Sequence, residues 1–303
     1  MGSSVAISTL ESGIASELLL CDLRPGLAEG EVLDLAHGAS FYPAAALRTA
    51  EVEDMVDCDA VVLSAGRGGR PGESRLDLLG ENARIARDLG ARLTRLRGIA
   101  VVVSNPVDVM TQLVVETSGL PAGRVIGTGT MLDTARLRHA IGRDLRLDPR
   151  SIHAQVVGEH GDSEVVLWSS AQVGGVPLRQ LPAWHRDREP ALAAEVRGAA
   201  GEIIRRKGAS NHAIGLVTAA LLGWALRGQR HVMTVSHVQS GTGVAAVDGV
   251  ALSLPAVVGP GGVAEVLIPP LDAVELAGLE RSAAVLRAAR SAALPISPPA
   301  AAT

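Results

Sequence analysis

Three unbroken apolar runs constrain this chain more than any other feature: residues 17–22 (ELLLCD), 59–65 (DAVVLSA) and 99–105 (IAVVVSN). A strand with one wet face alternates apolar and polar residues. A continuous run therefore predicts a strand covered on both faces. A shorter run follows at 124–127. Between the runs, Leu27, Val32 and Leu35 recur with helical spacing in 25–38, and 76–96 and 107–118 also read as helices. Strands alternating with helices predict βαβ crossovers and a parallel sheet. Each later run closes in a turn: Ala65-Gly66, Ser104-Asn105-Pro106 and Gly127-Thr128-Gly129. Ligands of open parallel sheets bind at such carboxyl ends.

The second half has a different texture. Helices are expected over 131–145, 191–206, 213–227 and 276–293, and a strand over 152–157. Antiparallel strands are expected over 232–237, 249–258 and 263–268, and a frayed Pro/Ala-rich end over 295–303. There is no internal repeat. A chain of 303 residues, 47% apolar, can build two compact domains. Its net charge of −4 is not gathered in blocks, which argues against a nucleic-acid partner. No run reaches membrane-spanning length, and no basic segment precedes an apolar one as in a secretory leader. Met1-Gly2 lacks the Ser or Thr at position six that myristoylation favours. Cys21 and Cys58 lie in apolar stretches and read as reduced core residues, so the expected compartment is the cytoplasm. No Cys/His spacing marks a metal site.

Four segments carry chemistry. In 156–164 (VVGEHGDSE), His160 stands between glycine turns directly after a strand. Imidazole is the side chain best suited to exchange a proton near neutral pH. In 127–136 (GTGTMLDTAR), Asp133 and Arg136 are three apart on a helix and share a face. The acid can orient the imidazole through its second nitrogen, and the arginine offers a planar fork for a carboxylate. Segment 65–75 (AGRGGRPGESR) reads as a lid that excludes water. Segment 103–108 (VSNPVD) places Asn105 at a strand end, where it can donate and accept. Taken singly, each has a bland reading: an incidental histidine, a solvated ion pair, a surface turn and a helix-entry turn.

Together, in this order and spacing from Gly2 to about Ala289, the segments resemble the L-lactate/malate dehydrogenase family, and within it the bacterial L-lactate dehydrogenases. The resemblance implies an α/β fold: a Rossmann-type parallel sheet in residues 1–128 and an α+β catalytic domain in 129–303. It implies NAD as cofactor and a small 2-keto or 2-hydroxy acid as substrate. His160 is then the proton donor and acceptor, Asp133 its orienting acid and Arg136 the carboxylate clamp. Arg75 on the lid polarises the carbonyl. Asn105 contacts nicotinamide and substrate, and Ser210 stands where the family has a pocket-lining Thr. Gly2, Ala65, Gly66, Ser104 and Asn105 line the cofactor, and Asp22 binds the adenosine ribose, favouring NAD over NADP.

One part of the family pattern is missing. The family opens with a strand and G-x-G-x-x-G, whereas only Gly2 matches, as the last glycine, with Asp22 about twenty residues beyond. That first strand is central in the sheet order, so its flanking strands are expected to keep unpaired edges. The expected cause is a translation start upstream of Met1, and a chain starting at Met1 is expected to bind NAD weakly or not at all.

The lid position at Gly69 sorts substrates in the family: Gln for lactate, Arg for malate. Glycine supplies neither, so pyruvate or a bulkier 2-keto acid is expected and malate is disfavoured. Arg138 and His153 match positions where bacterial L-lactate dehydrogenases bind fructose 1,6-bisphosphate between subunits. A basic pair suits phosphate, and surface charge explains it equally well. A homotetramer is expected. Two rival classes are an NAD-requiring glycosidase, which needs metal ligands, and an inactive truncated scaffold.

Overall fold

The computed structural model describes residues 1–68 and 75–293, the side chains of 75–77 excepted. Gly69, the Arg75 side chain, and the segment 295–303 expected to fray therefore lie outside the described residues.

The apolar runs form the strands their composition predicts. Strands β1 (Glu17–Leu20) and β2 (Ala46–Thr49) flank helix α2 (Leu27–His37), and α1 (Gly2–Glu11) precedes them. Strand β3 (Ala60–Leu63), helix α3 (Arg75–Arg92), β4 (Ile99–Val102), α4 (Val107–Ser118) and β5 (Val125–Gly127) follow. Strands β3, β4 and β5 pair in parallel, Val61 opposite Ala100 and Val101 opposite Ile126. All four residues of β4 and all three of β5 are buried, as continuous apolar runs require. Helices α3 and α4 pack against the sheet through Ala83, Ala86, Met110 and Leu113. Helix α7 (His212–Leu226) contributes Leu221, Leu222 and Ala225 to the cluster that holds Ile99, Val101 and Ile126.

The second half adds α5 (Met131–Leu145), short strands β6 (Ile152–His153), β7 (Val156–Val157), β8 (Val165–Val166), β9 (Gln172–Val173) and β10 (Val176–Pro177), and helix α6 (Glu189–Lys207). After α7 come β11 (Val232–Val238), β12 (Ala251–Gly259), β13 (Gly262–Val266) and α8 (Ala273–Ala293). The expected single strand over 152–157 is two short strands with different partners, β9 for β6 and β8 for β7. The antiparallel strands join the parallel ones: Ser236 pairs with Gly127, and the order is β13-β12-β11-β5-β4-β3. The sheet is thus mixed. A second core under α5 and α6 holds Leu137, Ile141 and Trp184, with the Trp168 and Trp184 rings 5.9 Å apart.

Strands β1 and β2 form a separate two-stranded parallel sheet. Among the described residues, strand β3 ends the six-stranded sheet, and β3 and β1 each pair on one edge only. Two readings need correction. Residues 17–20 are exposed or partly buried, and β3 alternates partly buried and buried residues, so neither run is fully covered on both faces. Cys21 is exposed and Cys58 partly buried, so neither is a core residue; both are free thiols. Helix α1 packs on α7, where Asn211 Nδ2 donates to Ser4 Oγ at 3.1 Å.

Candidate active site

The turn between β5 and α5 places the acid. Gly129 holds φ at +49°, and a Cβ there would stand 2.2 Å from Ser253 Oγ and 2.6 Å from the Ser236 nitrogen. Only glycine fits that approach. Thr130 Oγ1 donates to the Val156 carbonyl at 2.6 Å, and Val156 N donates to Thr134 Oγ1 at 3.0 Å. These buried hydroxyls lock α5 to β7, the strand that leads to the histidine. Next, Gly158 turns the chain at φ +84° and exchanges backbone bonds of 2.8 and 2.9 Å with Ser253. A Cβ on Gly158 would meet Ser282 Oγ at 2.5 Å.

His160 Nδ1 lies 2.5 Å from Asp133 Oδ2, and Arg136 Nη1 donates to Asp133 Oδ1 at 2.7 Å. The Asp133 side chain is 3% exposed and that of His160 is 22% exposed. Burial opposes charge on the imidazole, but the Asp133 carboxylate outweighs it and pushes His160 up to about 9. Burial also opposes charge on Asp133, yet the imidazole and guanidinium hold it below its ordinary value. Near neutral pH the pair is therefore an imidazolium on a carboxylate. With Nδ1 engaged, Nε2 is free to pass a proton to a bound oxygen, and the guanidinium keeps nitrogens for an anionic ligand.

The strand-end turns lie alongside one another. Asn82, 3% exposed on α3, accepts from Arg67 N at 3.0 Å and donates to the Asn105 carbonyl at 3.0 Å. It thereby ties the turn after β3 to the turn after β4. Ser104 donates its hydroxyl to the Ala65 carbonyl. Ala65, Gly66 and Asn105 are exposed, and the Asn105-Pro106 peptide is cis. Gly2, at the start of α1, stands so near the end of β3 that a Cβ would lie 3.0 Å from Ser64 Oγ. Helix α1 has no side-chain cap and no acid in its first turn, so its leading N–H groups suit a phosphate. Asp22, just beyond β1, accepts from Arg24 N at 2.9 Å, which holds its carboxyl below the ordinary value. Small exposed backbone, a bare helix start and an ionised acid fit a dinucleotide.

The structure thus joins His160, Asp133 and Arg136, and separately joins Ala65, Gly66, Ser104 and Asn105. Ser210 is half-buried in the turn before α7. Arg138 Nε donates to the Ala154 carbonyl at 3.1 Å, and His153, the residue before Ala154, is exposed. Three polar residues had no assigned role in the sequence: Asn82, Asp108 and Glu164. Asp108 accepts from His160 N at 2.7 Å. Glu164 is buried, and burial followed by the nearby Asp133 charge pushes it up to about 8. No periodicity marks these three, because each is a polar residue whose burial depends on another segment.

Comparison with known proteins bears on the same residues. The lactate/malate dehydrogenase NAD binding domain matches residues 1–127, and the family's alpha/beta C-terminal domain matches 130–294. An L-lactate dehydrogenase of Synechococcus sp. (strain JA-3-3Ab) is 43% identical over 290 residues, 95% of this chain and 94% of that protein. One of Kosmotoga olearia is 40% identical over 299 residues, covering 95% and 92%. The crystal structure of the minor L-lactate dehydrogenase of Enterococcus mundtii, in a ligands-bound form, superposes with a TM-score of 0.93 at 36% identity, covering 97% and 96%. MGS-M5, a lactate dehydrogenase from a Medee basin deep-sea metagenome library, gives 0.92 at 35% identity, covering 96% and 95%. With both domains matched end to end, on a fold that sets an acid-held imidazole near a dinucleotide-fitting strand end, the chain belongs to the lactate/malate dehydrogenase family.

Proposed function

We infer that the protein is an NAD-dependent L-lactate dehydrogenase, interconverting a 2-keto and a 2-hydroxy acid. The observation that carries the reading is the His160–Asp133–Arg136 constellation, one buried carboxylate bonded to both an imidazole and a guanidinium. When bound, NADH supplies the hydride. Everything else falls to this chain. His160 Nε2 delivers the proton to the carbonyl oxygen, and Asp133 holds Nδ1–H so that the ring keeps its aim. The unspent nitrogens of Arg136 pair with the substrate carboxylate, and Arg75 of the lid polarises the carbonyl. Gly2 and the bare start of α1 take the pyrophosphate, Asp22 the adenosine ribose, and Ala65, Gly66, Ser104 and Asn105 the nicotinamide side. Ser210 lines the substrate pocket.

Finer readings go with this one. The division at 1–128 and 129–303 accords with family matches that meet between 127 and 130. With Gly69 on the lid, pyruvate and bulkier 2-keto acids are favoured over oxaloacetate. Fructose 1,6-bisphosphate is proposed as an activator at Arg138, which is bonded to the backbone next to His153. The working assembly is a homotetramer in the cytoplasm; among the described residues no helix is long and apolar enough to cross a membrane.

The test is NADH oxidation with pyruvate, phenylpyruvate, 2-ketoisocaproate and oxaloacetate, each with and without the sugar bisphosphate. Turnover of the first three is expected, together with a loss of about 10²–10⁴-fold in His160→Gln and Asp133→Asn. Dominant oxaloacetate reduction would overturn the substrate assignment, and a flat bisphosphate response the effector. An active His160→Gln enzyme would overturn the mechanism.

A further inference from the structure

Asp108 is 2% exposed in the first turn of α4. An acid there is ordinarily explained by the helix dipole and by capping. Here the carboxylate makes no cap on α4. Its Oδ2 instead accepts the main-chain N–H of His160 at 2.7 Å, across 52 residues of sequence. Among the described residues its Oδ1 has no hydrogen-bond partner. A neutral side chain could accept the His160 N–H and face the nearby Ser236 hydroxyl, so burying a charge for them is a poor structural bargain. The helix that carries Asp108 starts two residues after Asn105, whose carbonyl Asn82 holds. One carboxylate therefore ties the strand-end turn to the histidine loop. Two acids flank one imidazole: Asp133 bonds its ring and Asp108 its backbone.

We propose that Asp108 is a positioning residue for His160, fixing the loop against α4 and adding a second negative charge that keeps the imidazole protonated. This rests on the reading of His160 as the proton donor. The charged groups around the pair include Glu164, buried beside Asp133 and His160, with Arg197 near it. Glu159 adjoins His160 on the loop, Asp133 and Arg136 face the ring from α5, and the Ser236 hydroxyl of β11 lies near Asp108. Arg287 and Arg290 of α8 line a cavity of about 220 Å³ that also reaches Asp108, with Gln112 and Ala251. Burial pushes Asp108 up to about 6, so it is charged in the neutral and alkaline range where His160 titrates.

Asp108→Asn keeps the size and an acceptor oxygen but removes the charge; Asp108→Ala removes both. The His160 ring is titrated by NMR in ¹⁵N-histidine-labelled full-length protein, with His160→Gln for assignment. Keto-acid reduction is followed against pH. In Asp108→Asn, His160 is expected to titrate about one unit lower, with the alkaline limb of kcat/KM moving down with it. In Asp108→Ala, kcat is expected to fall about 100-fold while the Kd for NADH holds, since Asp108 touches no proposed cofactor residue. An Asp108→Asn protein with wild-type titration and wild-type limb overturns the proposal. If Asp108→Ala does not fold, Asp108→Asn decides alone. If the wild-type chain reduces no keto acid, the function reading fails, and the NMR titration still decides for or against Asp108.

Discussion

Glu164 shows at the scale of one residue how the site draws on stability. It is 6% exposed, its Oε1 has no partner among the described residues, and it faces the charge of Asp133. Burial raises it to about 8 from an ordinary 4.5. Between those values the folded chain keeps a proton that the unfolded chain has released. Stability is therefore fully present below pH 4.5 and is lost as pH rises toward 8. Gln at this position stays neutral throughout. Glu164→Gln is expected to match wild type in urea unfolding at pH 4.5 and to be more stable by about 2–4 kcal/mol at pH 8.5. An equal offset at both pH values would show that Glu164 is not held protonated.

At the scale of elements, the site depends on the short connections after β5 and β7 more than on the helices themselves. Helix α5 brings Asp133 to His160 only because the Gly129 turn lets the chain pass against Ser236 and Ser253. Gly129→Ala is expected to push that turn away, lengthen the 2.5 Å contact and cost at least tenfold in kcat/KM, with about 2–3 kcal/mol of stability. Gly119, the left-handed cap of α4 at φ +63°, has open space where a Cβ would go. Gly119→Ala should cost about 1 kcal/mol and leave kcat/KM unchanged. Thermal melts with steady-state kinetics on both variants separate steric loss at the site from general backbone strain. Equal kinetic losses in the two would remove the role assigned to the Gly129 turn.

At the scale of the whole molecule, the surface carries large apolar side chains that one chain leaves uncovered. Leu33 is 60% exposed, Phe41 91%, Leu216 63% and Ile204 50%. Single exposed apolar residues are ordinary, but residues this exposed on α2, α6, α7 and the turn after α2 are candidates for contact between subunits of the proposed tetramer. Light scattering after gel filtration is expected to give a mass four times the 31.1 kDa of the chain. Phe41→Glu with Leu216→Glu is expected to lower that mass. A wild-type monomer at micromolar concentration would overturn the tetramer.

The sequence by itself determined four of the parallel strands, most of the helices between them and the trio proposed to react. Unbroken Val/Leu/Ile runs have few alternatives to a strand covered on both faces, and the His, Asp and Arg sit in short segments whose order and spacing resemble one family. Strand β2 and helix α1 were not assigned from the sequence. The first is a short, mostly exposed strand, and the second shows no clear apolar stripe. Only the tertiary structure decided that β11–β13 extend the parallel sheet, that Asn82 ties two strand-end turns together, and that Asp108 reaches the backbone of His160. These are contacts between residues far apart in the chain. Local periodicity reports which face of an element is apolar, but a buried polar group takes its partner from whichever segment packing brings beside it.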